Sequence, residues 1–154
     1  MGRFLKNYLG PFLLSVITTA LLACFFQTQN VLSGLKQVGA DVGFSDRVAQ
    51  TFFDIKSLGP LYAVFISIAF LIAFLAAGLF SMLAPKLSKY IFAGAGAVAM
   101  IVMLFAMKAA FFDVHIIAGA RDLFGQILQM LAGALGGLLF YKLRRKSKPK
   151  TIKA

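Results

Sequence analysis

Residues 123–154 read LFGQILQMLAGALGGLLFY followed by KLRRKSKPKTIKA. The first nineteen carry no charge, and the thirteen that follow carry seven lysines and arginines with no acid. An apolar run of this length crosses a hydrocarbon core of about 30 Å as a helix, at about 1.5 Å of rise per residue. In lipid the backbone N–H and C=O groups have no water to bond, so a lone spanning segment pairs them internally and is helical. A dense basic block beside such a span holds that end in the cytoplasm.

Three further stretches are equally free of charge: 7–35, 57–85 and 90–107. They predict spans at about 8–26, 60–84 and 90–107, with the fourth at 123–141. The segments between them alternate in character. The N-terminal segment, the turn with Lys86 and Lys89, and the tail together hold eleven basic residues and no acid. The two remaining loops hold five of each sign. The whole formal charge of +11 therefore belongs to one face. That split places both termini in the cytoplasm, and a bacterial inner membrane is the expected location.

The fold class that follows is an all-α integral membrane protein, a compact bundle of four transmembrane helices. At 154 residues and 60% hydrophobic composition, the chain holds more apolar surface than a soluble domain of this size can bury. One membrane domain with a basic tail at 142–154 uses all of it. Gly10-Pro11 and Gly59-Pro60 suit helix entrances, where the N–H that proline lacks has no intrahelical partner. Tyr8, Tyr90 and Tyr141 mark one boundary of the bilayer and Tyr62 the other.

The first outer loop, about 27–59, contains Gly34, Gly39 and Gly43 as breaks in regular structure. Ser45 or Asp46 is placed to cap a short helix that runs to Lys56. Val48, Phe52 and Ile55 fall on one stripe of it, with Arg47, Gln50, Asp54 and Lys56 largely elsewhere. Such a helix either lies in the interface plane or packs as a cover on the bundle.

The fourth span carries the densest pattern. Gln126, Gln129, Gly133, Gly136 and Gly137 share one stripe, with Gly133 and Gly137 in GxxxG spacing. Small residues let helix backbones approach closely, which strengthens dispersion where no hydrophobic effect drives association. The stripe serves packing within the bundle, a homo-oligomer, or docking on a partner. The glutamines need hydrogen-bond partners, for which Ser15, Thr18, Thr19, Ser67, Gln27 and Gln29 are candidates. Ala93, Gly94, Gly96 and Ala97 repeat the small-residue theme in the third span, and Ala69, Ala73 and Ala77 in the second. Gly96, Met100, Met103 and Met107 form a further stripe, read as adaptable packing.

Other features carry less chemistry. Asp113, His115, Arg121 and Asp122 cluster in the second outer loop as a contact site for a partner or a lipid headgroup. A base beside a carboxylate is the minimum for acid–base work, but the spacing matches no catalytic motif. One histidine and one cysteine do not make a multi-thiolate or multi-histidine metal site. No P-loop, nucleophile elbow or dinucleotide fingerprint occurs, so no cofactor is expected and the chain reads as a non-enzyme. Leu21-Leu22-Ala23-Cys24 loosely resembles a bacterial lipoprotein signal. The leucine before Ala23 and the phenylalanines after Cys24 depart from that pattern, and an uncleaved first span explains the same run. Lys142, Arg144, Arg145, Lys146, Lys148 and Lys150 fit anionic lipid at the cytoplasmic face. The tail has no interleaved aromatics for base stacking, which argues against nucleic acid.

The functional expectation is a non-catalytic accessory or assembly subunit that acts through helix–helix contacts with a membrane-protein partner. A small carrier or pore for an uncharged or lipid-like solute is the alternative. Both accord with spans free of the ionisable groups that mark ion and proton paths. The charge split makes a direct prediction. An impermeant thiol reagent applied to intact cells is expected to label Ser33→Cys and to leave Ser147→Cys unlabelled. Labelling of Ser147→Cys reverses the topology.

Overall fold

The computed structural model describes residues 8–39, 41, 43–110 and 122–147. Among them are five α-helices: α1 (Gly10–Gln37), α2 (Phe44–Ser57), α3 (Gly59–Leu83), α4 (Ser88–Ala110) and α5 (Leu123–Ser147). A 3-10 turn, Pro85–Leu87, joins α3 to α4. Helices α1, α3, α4 and α5 are each long and apolar enough to cross a membrane. The protein is an all-α four-helix membrane bundle.

The four long helices pack in the cyclic order α1, α5, α4, α3, and the most extensive interface is between α4 and α5. Each buries one stripe at helical spacing. On α3 it is Tyr62, Ile66, Phe70, Phe74 and Ala77; on α4, Phe92, Met100, Met103 and Met107 lie in the core. The opposite faces display Leu71, Ile72, Leu75 and Leu79 on α3 and Val98, Val102 and Phe105 on α4. Exposed aliphatic surface of this extent belongs against lipid tails. Toward the basic end, Phe74 stacks on Phe140 at 4.6 Å between ring centroids, and Phe92 lies 5.5 Å from Phe140.

Two of the long helices run further than the spans read from the sequence. α1 has 28 residues and so extends about 42 Å, well beyond the hydrocarbon core. Gln27, Thr28, Gln29 and Asn30 look like a loop by composition but continue the helix; Thr28 and Gln29 bond to α2, and Asn30 bonds to Asp122 beside α5. Gly34 is inside α1, and the helix stops instead at Gly39, whose φ of +89° suits only glycine at low cost. α5 likewise continues to Ser147, so Lys142, Arg144, Arg145 and Lys146 stand on its last turns. Lys148 and Lys150 lie outside the described residues.

α2 docks with its polar side inward. Gly43 is its N-cap, in place of Ser45 or Asp46, and Asp46 instead accepts the Gly43 N–H through Oδ2 at 3.0 Å. The Thr28 hydroxyl lies 2.7 Å from Asp54 Oδ2 and 2.9 Å from the Cys24 carbonyl oxygen. Arg47 Nη1 donates to Gln29 Oε1 at 2.9 Å, and Gln50 Nε2 to Asp54 Oδ1 at 3.0 Å. Phe44 and Phe52 point away, 81% and 70% exposed, with Val48 and Phe53 also exposed. Only Ile55 of the expected stripe packs toward the core. The helix is therefore a cover attached by hydrogen bonds that keeps an apolar face outward.

Asp54→Ala removes a charged partner from both Thr28 and Gln50. Hydrogen bonds to charged groups contribute about 1.5–3 kcal/mol. Faster amide hydrogen exchange confined to α2, with the four spans unchanged, is the expected outcome. Unchanged exchange in α2 contradicts attachment through Asp54.

Candidate functional site

The stripe read from the fourth span forms the central seam of the bundle. On α5, Gln129, Ala132, Gly133, Gly136, Gly137 and Phe140 are buried, and Gln126 is half-buried at the stripe's edge. A Cβ at Gly133 would collide with the Gly96 carbonyl of α4, and one at Gly96 with the Gly133 carbonyl. At Gly137 the obstacle is the Phe92 carbonyl, also on α4. At Gly136 it is the Thr19 hydroxyl of α1, with the Phe70 ring of α3 behind it at 3.0 Å. The GxxxG pair thus faces α4, while Gly136 faces α1 and α3. Of the readings open at the sequence level, packing within the bundle accounts for all three glycines. Gly94 is exposed and meets nothing, so it takes no part.

Two polar links cross the seam. Ser15 Oγ donates to the Gly136 carbonyl at 2.7 Å. Gln129, fully buried, donates through Nε2 to the Ala23 carbonyl at 3.1 Å and accepts the Tyr62 hydroxyl on Oε1 at 2.8 Å. One amide therefore joins α5 to α1 and α3. Sequence reasoning proposed other partners for it and assigned Tyr62 to the membrane boundary. Tyr62 is only 3% exposed and faces inward. Its i+4 and i+8 relations to Ile66 and Phe70, both core residues, were the available signal. Thr19 and Ser67 bond back to the carbonyls of Ser15 and Ala63 in their own helices. Among the described residues every buried side-chain nitrogen or oxygen has a partner.

The second expected site is described only at its edge. Asp113, His115 and Arg121 lie outside the described residues. Asp122 Oδ1 accepts the Gly125 N–H at 3.2 Å, which caps α5, and also the Asn30 side-chain amide at 2.8 Å. Asp122 is thus an N-cap that ties α5 to the overhang of α1. At the opposite end Arg144 lies 5.2 Å from the Tyr8 ring centroid and 5.7 Å from that of Phe92. These contacts hold its guanidinium against the bundle. Lys142 and Arg145 are exposed beside it.

No family model, curated protein or solved structure matches this chain.

The seam fixes the sign of a mutation series. Gly133→Leu and Gly137→Leu are each expected to lower thermal stability in detergent far more than Leu131→Ala, because Leu131 is half exposed on the lipid side. Adding a side chain separates two backbones and loses many dispersion contacts together, whereas trimming Leu131 exchanges one lipid contact for another. Gln129→Leu is expected to cost about 1 kcal/mol, the modest worth of polar contacts in membranes. Stability unmoved by both glycine variants contradicts the packed seam.

Proposed function

We propose that this protein is a non-catalytic subunit of a membrane complex, seated in a bacterial inner membrane with both termini cytoplasmic. The observation that carries the reading is the orientation of α2. Its polar residues bond to α1, and Phe44, Phe52 and Phe53 face away from the bundle. Aromatic side chains are enriched at protein interfaces and dominate their energetics. The glycine seam is occupied internally, so contact with a partner falls on another surface, and among the described residues α2 offers the most aromatic one outside the four spans.

The interior supports a structural role over a transport role. Ile66, Phe70, Phe92 and Met100 fill the bundle axis and are fully buried. The buried polar side chains, Ser15, Thr19, Gln27, Thr28 and Gln129, are neutral hydroxyls and amides. A carrier for an uncharged or lipid-like solute remains the alternative, and its route would follow the outside of a helix pair.

The test is photo-crosslinking from position 52 in native membranes, with co-purification in mild detergent. The expected result is one protein adduct, together with loss of co-purification in Phe44→Ser and Phe52→Ser at unchanged thermal stability. Adducts to lipid alone, with co-purification unaffected, place α2 on the bilayer surface and remove the basis for the subunit reading.

A further inference from the structure

At the basic end of the bundle the facing sides of α1 and α3 leave a cleft of about 640 Å³. Small-ligand sites occupy about 300–1,000 Å³, so the volume is that of a ligand and larger than a packing defect. Its surface is almost wholly apolar. Phe12 of α1 and Leu75 and Leu79 of α3 line it, together with Phe74 and Phe140, the two stacked rings. Gly78 leaves one wall open, since a Cβ there would meet nothing within 4 Å.

Arg144 makes this cleft different from the rest of the lipid-facing surface. It lines the cleft together with Tyr8. It also lines a second hollow of about 350 Å³, bounded by Ser81, Ser88, Tyr141 and Arg145. An apolar cleft and a smaller hollow with two arginines therefore share one guanidinium. Ring contacts hold Arg144 in place, and among the described residues no acid stands at this end to take its N–H donors. Asp54 and Asp122 bond to Thr28 and Asn30 near the other end of α1, and Asp41 and Asp46 stand beside or on α2. Asp113 lies outside the described residues. A planar guanidinium favours phosphate oxygens, which accept two of its parallel donors.

We propose that this site binds one anionic phospholipid. An acyl chain lies in the cleft against Phe74, Leu75 and Leu79, and the phosphate sits at Arg144 and Arg145. Charge complementarity identifies the occupant: the cleft matches a hydrocarbon tail and its mouth matches a phosphate. This site is distinct from diffuse attraction by the tail, which acts on any anionic surface and needs no cleft. It is also independent of the contact proposed for α2, which is at the other end of the molecule.

The test uses the full chain in detergent, titrated with phosphatidylglycerol or with phosphatidylcholine of identical acyl chains, and read by native mass spectrometry. One phosphatidylglycerol is expected to bind about fivefold more tightly than phosphatidylcholine, the equivalent of about 1 kcal/mol for a basic residue near anionic lipid. Arg144→Gln is expected to abolish that preference, and Arg144→Lys to retain part of it. Gly78→Leu fills the cleft and leaves the helix contacts untouched. It is expected to weaken both lipids at unchanged thermal stability. If Gly78→Leu binds phosphatidylglycerol as the parent does, the lipid rests on the tail charges and the cleft site is refuted. Equal binding of the two lipids by the parent chain also overturns the proposal.

Discussion

The approach of two main chains, α4 and α5 at Gly96, Gly133 and Gly137, sets the geometry of the whole bundle. Lipid tails are as apolar as leucine, so no hydrophobic effect holds helices together within the bilayer. Dispersion remains, and it fades over fractions of an ångström. Glycine on both sides of the contact removes the side chains that would hold the helices apart. With α5 fixed against α4, its neighbouring face presents Gly136 to α1 and its edge presents Gln129 to α1 and α3 together. The stack of Phe140 on Phe74 completes the same alignment toward the basic end.

The two ends of the molecule are built from different chemistry. Near α2 the contacts are hydroxyls, amides and carboxylates: Thr28, Gln29, Asn30, Arg47, Asp54 and Asp122 bond to one another across helices. At the basic end the contacts are aromatic rings and a guanidinium, and among the described residues no acid opposes the positive charge there. The proposed orientation across the bilayer rests on this polarity.

The spans were legible because charge is costly in hydrocarbon, and its absence over long stretches leaves few alternatives. The stripe on the fourth span was legible for a related reason, since five small or polar residues at helical spacing need a packed environment. Which neighbour each glycine meets was not legible, because that depends on the cyclic order of helices and not on α5 itself. The extent of α1 was misread because Gln27–Asn30 resemble a loop unless the helix that bonds to them is known. The orientation of α2 was undetermined for the same reason. An amphipathic pattern identifies two faces, and beside a membrane either face can turn inward.

The hydrogen bonds of the interior also bear on how the chain is inserted. Thr19 and Ser67 bond within their own helices, so α1 and α3 enter lipid with these hydroxyls already satisfied. Gln129 has no such local solution, since both of its partners are on other helices. Those partners, the Ala23 carbonyl and the Tyr62 hydroxyl, come earlier in the chain. A ribosome working from the N-terminus delivers both to the bilayer before the glutamine emerges. The last span thus emerges only after both partners of its buried Gln129 amide have been made.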